Sequence, residues 1–348
     1  MPALPRYLVV APQGLGDSLQ ATPLIQALNQ QPAAVDVLVM RSGPRALFRA
    51  LKQVNDVIYL PFWESGRAEF LRALFRERRR PPYDATFLTY PAARREYHVL
   101  TRLIPARCRI AHAYEAASIG NMLGLHSTLV PVRPSHNVER NLDLARAAGI
   151  EVRGSYQTIV PAEWYGSQIA DPALIAIHPG SVDHDGFALK RWPPDRFIKA
   201  AQALHADGFK IAVIAGPEEK AVARDIAASV PDAKIFEGNL QQLAAFLKTT
   251  AMLISNDTGV AHLAAAVGTP VLALFGPTPV ECAPYGPNVI ALRPSDCPPC
   301  FTPKAGIAGC ARGIDFACLK RDLPVDLVVR TACSVLNRPE TASAAQGQ

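Results

Sequence analysis

Short apolar runs alternate with helical patterns along most of the chain. In the first half these runs are YLVVAP, VDVLVM, DVIYL and ATFLTY, and in the second half they are ALIAIHPG, KIAVIAG, AKIFEG, MLISND and PVLALFGP. Each run is bounded by Gly, Pro or Asp, and continuous apolar runs with helices between them are typical of parallel strands covered on both faces. The pattern predicts a doubly wound α/β architecture, present twice.

The periodicity lapses once, in the stretch GIEVRGSYQTIVPAEWYGSQIADPA. We therefore predict two Rossmann-like domains, over residues 1–160 and 161–338, and a flexible Ala-, Ser- and Gln-rich tail at 339–348. A length of 348 residues agrees with two domains. Because open α/β sheets bind ligands beyond the carboxyl ends of their strands, the cleft between the domains is the expected site.

Composition indicates a globular protein, with 49% apolar and 19% charged residues. The sequence contains no uncharged apolar run of 18 or more residues and no secretory signal pattern, so we expect a cytoplasmic protein. In that compartment its seven cysteines are expected to be thiols or metal ligands rather than a disulfide framework.

The positive charge is concentrated in the first half. Residues 1–150 carry 19 Lys and Arg against 11 Asp and Glu, whereas the rest is slightly acidic. The segment with the most arginines is FLRALFRERRRPPYD. It is either a solvated helix end or a contact for an anionic membrane surface or a phosphorylated acceptor. Nucleic acid is not an expected partner, because no recognised binding motif accompanies this segment. Its arginines are Arg72, Arg76, Arg78, Arg79 and Arg80.

The segment NDTGVAHLAAAVG predicts a turn followed by a helix of small residues. Asp257, Thr258 and Gly259 form the turn, and the first turn of the helix offers backbone N–H groups and a positive dipole end to a phosphate. The alternative is that Asp257 or Thr258 only caps the helix and that His262 is a buried histidine bound to the backbone.

Two further strand-to-helix turns carry residues suited to a nucleotide. In HPGS…LKRWPPDRF, the Ser181 hydroxyl and the Lys190 ammonium are candidates for phosphate binding. In VIAGPEEKAVA, Glu218 or Glu219 follows a strand, where an acid often accepts hydrogen bonds from ribose hydroxyls. Equally, glutamates at a helix start suit the helix dipole.

The first strand ends in APQGLGDSLQ, which places Gly14, Gly16 and Asp17 before a helix. Leu19 occupies the third glycine position, so this is an incomplete dinucleotide fingerprint. We interpret the glycines as allowing acceptor and donor close to the backbone, and Asp17 as a general base aimed into the cleft. The alternative is that Asp17 caps a helix beginning near Ser18.

Four cysteines near the end form a C-x2-C-x9-C-x7-C array, at Cys297, Cys300, Cys310 and Cys318. Two thiolates on a tight turn followed by two more suit a structural tetrahedral zinc or iron site. The alternatives are four reduced thiols in a packed loop and a disulfide formed on purification.

In chain order, GDSLQATPLIQAL, HPGS…KRWP and NDTGVAHLAAAVGTPVLALFGPT resemble the successive signatures of glycosyltransferase family 9. This family comprises the ADP-heptose heptosyltransferases of bacterial lipopolysaccharide core assembly. The resemblance implies a GT-B architecture whose first domain binds the acceptor and whose second binds the nucleotide sugar. It also implies inverting transfer without a divalent metal, although some protein-modifying relatives that heptosylate autotransporters carry a four-cysteine iron finger.

The family's Asp-Thr-Gly-x-x-His pattern falls on residues 257–262, its lysine before Trp-Pro on Lys190, and its ribose-binding acid on Glu218 or Glu219. Arg94 and Arg95 are candidate contacts for an anionic acceptor. The implied partners are ADP-heptose, a lipopolysaccharide core or similar acceptor, and the inner membrane as a peripheral contact. The alternatives are a GT-B enzyme using another nucleotide sugar or a protein acceptor, and a non-catalytic module that binds sugar nucleotides.

Overall fold

The computed structural model describes residues 4–62, 64, 66–114, 124–181, 187–294 and 296–336. The predicted tail at 339–348 lies outside these residues. Within them, no helix is long and apolar enough to cross a membrane.

The first half of the chain folds around one sheet. Its strands are β1 (Arg6–Ala11), β2 (Ala34–Val39), β3 (Asp56–Tyr59), β4 (Tyr83–Leu88), β5 (Ala106–Ala113) and β6 (Thr128–Pro131). Its helices are α1 (Leu15–Leu28), α2 (Ser42–Ala50), α3 (Arg67–Glu77), α4 (Arg95–Leu103) and α5 (Asn137–Ala147). The strands are parallel and lie in the order β3-β2-β1-β4-β5-β6.

The second half repeats this arrangement. Its strands are β7 (Asp171–His178), β8 (Lys210–Ile214), β9 (Lys234–Phe236), β10 (Thr250–Asn256), β11 (Val271–Leu274) and β12 (Val289–Leu292). Its helices are α6 (Pro194–Ala206), α7 (Lys220–Ala228), α8 (Leu240–Lys248), α9 (Gly259–Ala266), α10 (Ala317–Lys320) and α11 (Val325–Leu336). The parallel order is β12-β11-β10-β7-β8-β9.

The predicted α/β class with two doubly wound sheets is confirmed. In each sheet the strand order reverses once, between β1 and β4 and between β7 and β10, and such a switch point opens a crevice for ligands. The sequence pattern did not predict three of the twelve described strands. The sequence of β5, ARCRIAHA, is interrupted by arginines and a histidine, while β6 and β12 are four-residue strands at the edges of the sheets.

The two halves are joined through α1, which packs against α5 of its own half and against α9 of the other. Gln20, fully buried on α1, donates from Nε2 to the carbonyl oxygens of Cys282 at 3.1 Å and Ala283 at 2.9 Å. Its Oε1 accepts a hydrogen bond from Asn137 Nδ2 at 3.1 Å. Every polar atom of this amide therefore has a partner, and two of its three bonds cross between the halves.

We expect Gln20→Ala to destabilise the protein, because it leaves buried carbonyl and amide groups without partners. The cost is about 2 kcal/mol, which should lower Tm by roughly 3 °C in differential scanning calorimetry. Gln26→Ala is the matched control, since Gln26 lies on the same helix and its amide bonds the carbonyl of the exposed residue Gln157. Equal Tm values for the two variants would contradict the joining role of Gln20.

Candidate active site

Asp17 is the third residue of α1 and lies half-buried in the cleft between the sheets. The helix begins at Leu15 with Gly14 as its N-cap, so the alternative that Asp17 caps a helix starting near Ser18 is wrong. The pKa of Asp17 is raised to about 7, first by burial; Asp257 raises it further and Lys190 opposes the shift. Both of those charges belong to the other half of the chain.

The N-termini of α1 and α9 touch across the cleft. A Cβ added at Gly16 would lie 2.8 Å from Cδ2 of His262, and one at Gly259 would lie 3.1 Å from Cβ of Leu15. Gly16 is therefore required by contact between the two halves. Gly14 has nothing within 4 Å of the position of an added Cβ, so packing does not require glycine there.

The first turn of α9 is not capped by a side chain. Thr258 is the N-cap residue, yet its hydroxyl lies 3.3 Å from His178 Nδ1 and 3.2 Å from Ser255 Oγ instead of bonding the helix. The alternative that Thr258 serves as a side-chain cap is therefore wrong. The first-turn N–H groups thus have no side-chain cap and can bind an anion.

Lys190 ends a short 3-10 helix and reaches Asp257 at this helix start. Lys190 Nζ lies 3.0 Å from Asp257 Oδ2, and both residues are buried. A buried ion pair contributes little net stability, because both charges lose their hydration. The pair places a buried ammonium beside the first turn of α9.

Ser181 contacts Arg191, the residue after Lys190. Arg191 donates from Nε to Ser181 Oγ at 3.1 Å, and its guanidinium also donates to the Ser181 carbonyl. Asn256, fully buried at the end of β10, holds the two loops together. Its Nδ2 donates to Pro179 O at 2.7 Å, and its Oδ1 accepts from the Trp192 N–H at 2.8 Å. Sequence reasoning assigned no role to Asn256, although an amide ending a buried strand is a usable signal.

A cavity of about 490 Å³ opens beside these loops. Glu219 packs tightly there, because a Cβ at Gly180 or Gly216 would lie 2.3 or 2.4 Å from its side chain. Burial, and then the charge of Glu218, raises the pKa of Glu219. Lys320 also reaches this cavity, which no sequence pattern indicated. The lining includes Gly180, Arg191, Trp192, Glu218, Glu219 and Lys320.

His262 is buried, but the alternative that its ring nitrogens are hydrogen-bonded to the backbone is wrong for Nδ1. Its Nδ1 has no hydrogen-bond partner among the described residues. Burial lowers its pKa to about 4, so the ring is neutral near pH 7. A neutral imidazole with an unpartnered nitrogen at the cleft can bond a ligand hydroxyl.

The predicted acceptor arginines lie at the start of α4. Arg94 is its half-buried N-cap residue, and Arg95 is exposed. Burial raises the pKa of Tyr97; the positive charge of Arg94 lowers it, and the negative charge of Asp17 raises it. The charges of Arg94 and Asp17 therefore both act on the hydroxyl of Tyr97.

The four predicted metal-ligating cysteines are all free thiols. Cys297 and Cys318 are buried together, and burial followed by the nearness of Cys297 raises the pKa of the Cys318 thiol. Cys300 Sγ accepts the Ala311 N–H at 3.3 Å. Backbone N–H groups, that of Phe316 foremost, lower the pKa of Cys310. Across the described ranges, no three metal-ligating side chains are gathered tightly enough to hold an ion.

Solved structures that share this fold include two glycosyltransferases. Escherichia coli heptosyltransferase WaaC with ADP-2-deoxy-2-fluoro heptose superposes with a TM-score of 0.71 at 20% identity, over 94% of this chain and 99% of that one. Iron-containing dodecameric TibC of enterotoxigenic E. coli H10407 superposes with a TM-score of 0.60 at 16% identity, over 95% and 76%. The chain therefore has the GT-B fold of these enzymes, as expected.

The sequence comparisons assign the family within this class. The model of "Glycosyltransferase family 9 (heptosyltransferase)" matches residues 94–306, and the chain belongs to that family. Lipopolysaccharide heptosyltransferase 3 of E. coli K12 is 27% identical over 298 residues, covering 79% of this chain and 84% of that protein.

The raised pKa of Asp17 predicts a pH-dependent stability difference. Between about pH 4 and 7 the folded protein keeps a proton that the unfolded chain releases, so the stability contributed by this group falls as pH rises through that window. Asp17→Asn should therefore gain stability relative to wild type from pH 4 to pH 8, by roughly 2–4 kcal/mol. Urea unfolding across this range measures it.

Asp225→Asn, at an exposed aspartate of α7, is the control for this measurement. Its stability relative to wild type should stay level across the same pH range. A level difference for Asp17→Asn as well would mean that Asp17 titrates like an ordinary surface carboxylate.

Proposed function

We propose that the protein is an inverting, metal-independent heptosyltransferase that moves heptose from ADP-heptose to a lipopolysaccharide core or related anionic glycan in the cytoplasm. The observation that carries this proposal is a carboxylate with a pKa near 7 on one side of the cleft, facing a lysine and an uncapped helix start on the other. The names of the relatives and of the WaaC complex support the donor and the acceptor.

The second domain, proposed as residues 161–338, would bind the donor. The diphosphate would lie at the first turn of α9, close to Lys190 and the Ser181 hydroxyl. As the bond to the sugar breaks, these groups would stabilise the charge that develops on ADP, which is the role a divalent metal plays elsewhere. Glu219 is the better candidate for the ribose hydroxyls, because its carboxylate packs between Gly180 and Gly216 at the cavity.

The first domain, proposed as residues 1–160, would present the acceptor. Asp17 would take the proton of the acceptor hydroxyl as that oxygen attacks the anomeric carbon from the face opposite ADP. A base works best when its pKa lies near the working pH, and burial tunes Asp17 to about 7. Arg94 and Arg95 would bind anionic groups of the acceptor, and neutral His262 would bond a sugar hydroxyl at the contact between the domains.

Asp17→Asn should lower the transfer rate by about 10²- to 10⁴-fold, because the amide cannot accept the proton. Its affinity for ADP should change little, because the proposed ADP contacts lie on the other domain. ADP release with ADP-heptose and a core acceptor measures the first quantity, and calorimetric titration with ADP the second. Turnover within tenfold of wild type would exclude Asp17 as the base, with Asp225→Asn as the matched control.

A protein acceptor is the second candidate, favoured by the four cysteines and the likeness to iron-containing TibC. Incubation with ADP-heptose, ADP-glucose and UDP-sugars, each with glycan or protein acceptors, separates the two by nucleotide release. A non-catalytic sugar-nucleotide-binding module would bind a donor and release no nucleotide with any acceptor.

We also propose that Cys297, Cys300, Cys310 and Cys318 hold a structural zinc or iron. The donor chemistry fits, because backbone N–H groups that point at Cys300 and Cys310 stabilise thiolates. The four sulfurs would draw together on binding. Four protein ligands leave no open position, so the ion would stabilise the segment that carries Lys320 to the donor cavity and take no part in transfer.

Elemental analysis of the purified protein should find about one zinc or iron per chain, as expected for a four-thiolate site. Cys310→Ser should lose most of that metal and lower Tm, whereas Cys108→Ser, outside the segment, should keep both. A metal-free wild type, or a Cys310→Ser variant with full metal content, would contradict the site.

A further inference from the structure

Residues 297–323 carry the four cysteines and pack on a turn of the second sheet; we name them the cysteine segment. Leu319 of α10 is fully buried there, and a Cβ added at Gly276, in the turn after β11, would lie 2.5 Å from its Cγ. The Cys300 N–H donates to the carbonyl oxygen of Pro277 at 2.8 Å. Both contacts fix the cysteine segment to the turn that follows β11.

The end of the cysteine segment is bonded to the loop that carries the proposed phosphate contacts. The carbonyl oxygen of Leu323 accepts two hydrogen bonds, from Trp192 Nε1 at 2.9 Å and from Arg196 Nη1 at 2.7 Å. Trp192 is fully buried and follows Lys190 by two positions. The cysteine segment and the proposed donor loop therefore support each other directly.

Helix α10 starts at a strained point of the backbone. Asp315 has a φ of 48° and Phe316, the N-cap residue, has a φ of 53°, both in the left-handed region. That region is unfavourable for a bulky side chain, and such a conformation persists where the surrounding packing fixes it. Phe316 is buried in the core, which supplies that packing. The turn fixes where α10 begins and therefore where its last residue, Lys320, lies.

Lys320 lies at the wall of the cavity beside the proposed donor contacts. Its Nζ is 2.6 Å from Asp315 Oδ2, although the two side chains are 51% and 83% exposed. An ammonium has three N–H donors, so one carboxylate contact leaves others for a ligand. The lysine can therefore keep its ion pair and still bind a group inside the cavity.

The cysteine segment and α9 pack on opposite faces of the second sheet. Adjacent residues of β7, whose side chains point to opposite faces, belong to different core clusters, Ile177 to one and Ala176 to the other. Leu319 lies in the cluster of Ile177, and Leu263 of α9 lies in the cluster of Ala176. A ligand bound at the start of α9 therefore reaches the cysteine segment by extending across the carboxyl ends of the strands.

We propose that Lys320 binds the nucleobase of the donor, and that the cysteine segment thereby forms part of the donor site. With the diphosphate at the start of α9 and the ribose at Glu219, the base continues toward the face where Lys320 lies. The ammonium donates to a ring nitrogen or carbonyl oxygen of the base, and Pro194 and Val222 line the same cavity and contact its ring. This inference rests on the proposed function, because it takes the ligand to be a nucleotide sugar.

Calorimetric titration of the full chain with ADP and with inorganic pyrophosphate tests this assignment. Lys320→Gln should raise the Kd for ADP by about tenfold, the loss expected for one charged hydrogen bond, and should leave the Kd for pyrophosphate within about twofold of wild type. Lys304→Gln is the matched control, because Lys304 is an exposed lysine of the same segment that does not line the cavity. It should bind both ligands as wild type does.

Transfer kinetics give a second readout. The KM for ADP-heptose should rise about tenfold in Lys320→Gln with kcat little changed, because the base is bound equally before and during transfer. An ADP affinity equal to that of wild type would overturn the assignment. So would a loss of pyrophosphate affinity as large as the loss for ADP, since Lys320 would then bind the phosphates. Wild type that binds ADP but transfers no heptose would contradict the proposed function and leave the nucleobase contact standing.

Discussion

The close approach of two helix N-termini is the contact on which the site depends. Gly16 of α1 leaves room for the ring of His262, and Gly259 of α9 leaves room for Leu15. With a side chain at either glycine, the helices would have to separate or the neighbouring side chains would have to shift. The contact brings the positive end of α9 and the carboxylate of Asp17 to the same part of the cleft.

That proximity sets the electrostatics of the cleft. Burial raises the pKa of Asp17 to about 7, and the two partners of the Lys190–Asp257 pair act on it in opposite directions. Burial also keeps His262 neutral, with its pKa at about 4. In the proposed transfer, Asp17 would take a proton on one side of the cleft, and Lys190 with the start of α9 would receive the leaving diphosphate on the other.

The structure agrees with the sequence interpretation for features that depend on consecutive residues. It changes the interpretation for side chains whose partners lie far away in the sequence. Asp257, Thr258 and Gly259 lie at the predicted strand-to-helix turn, because a buried strand followed by small residues has few other folds. Thr258 is the N-cap residue of that helix, but its hydroxyl lies by His178, 80 positions earlier, instead of bonding the helix. Arg191, to which the sequence interpretation gave no role, donates to Ser181, and the side chain of Asn256 bonds both loops that carry these residues.

By itself the sequence determined the α/β class, nine of the twelve described strands and the family resemblance, because each is encoded within a few consecutive residues. The tertiary structure decided why Gly16 must be glycine, which glutamate fills the cavity, that Lys320 reaches it and that Leu71 and Phe75 stay exposed. Each of these depends on a distance between segments far apart in the chain. The periodicity of one segment shows which face is apolar, but not what covers that face.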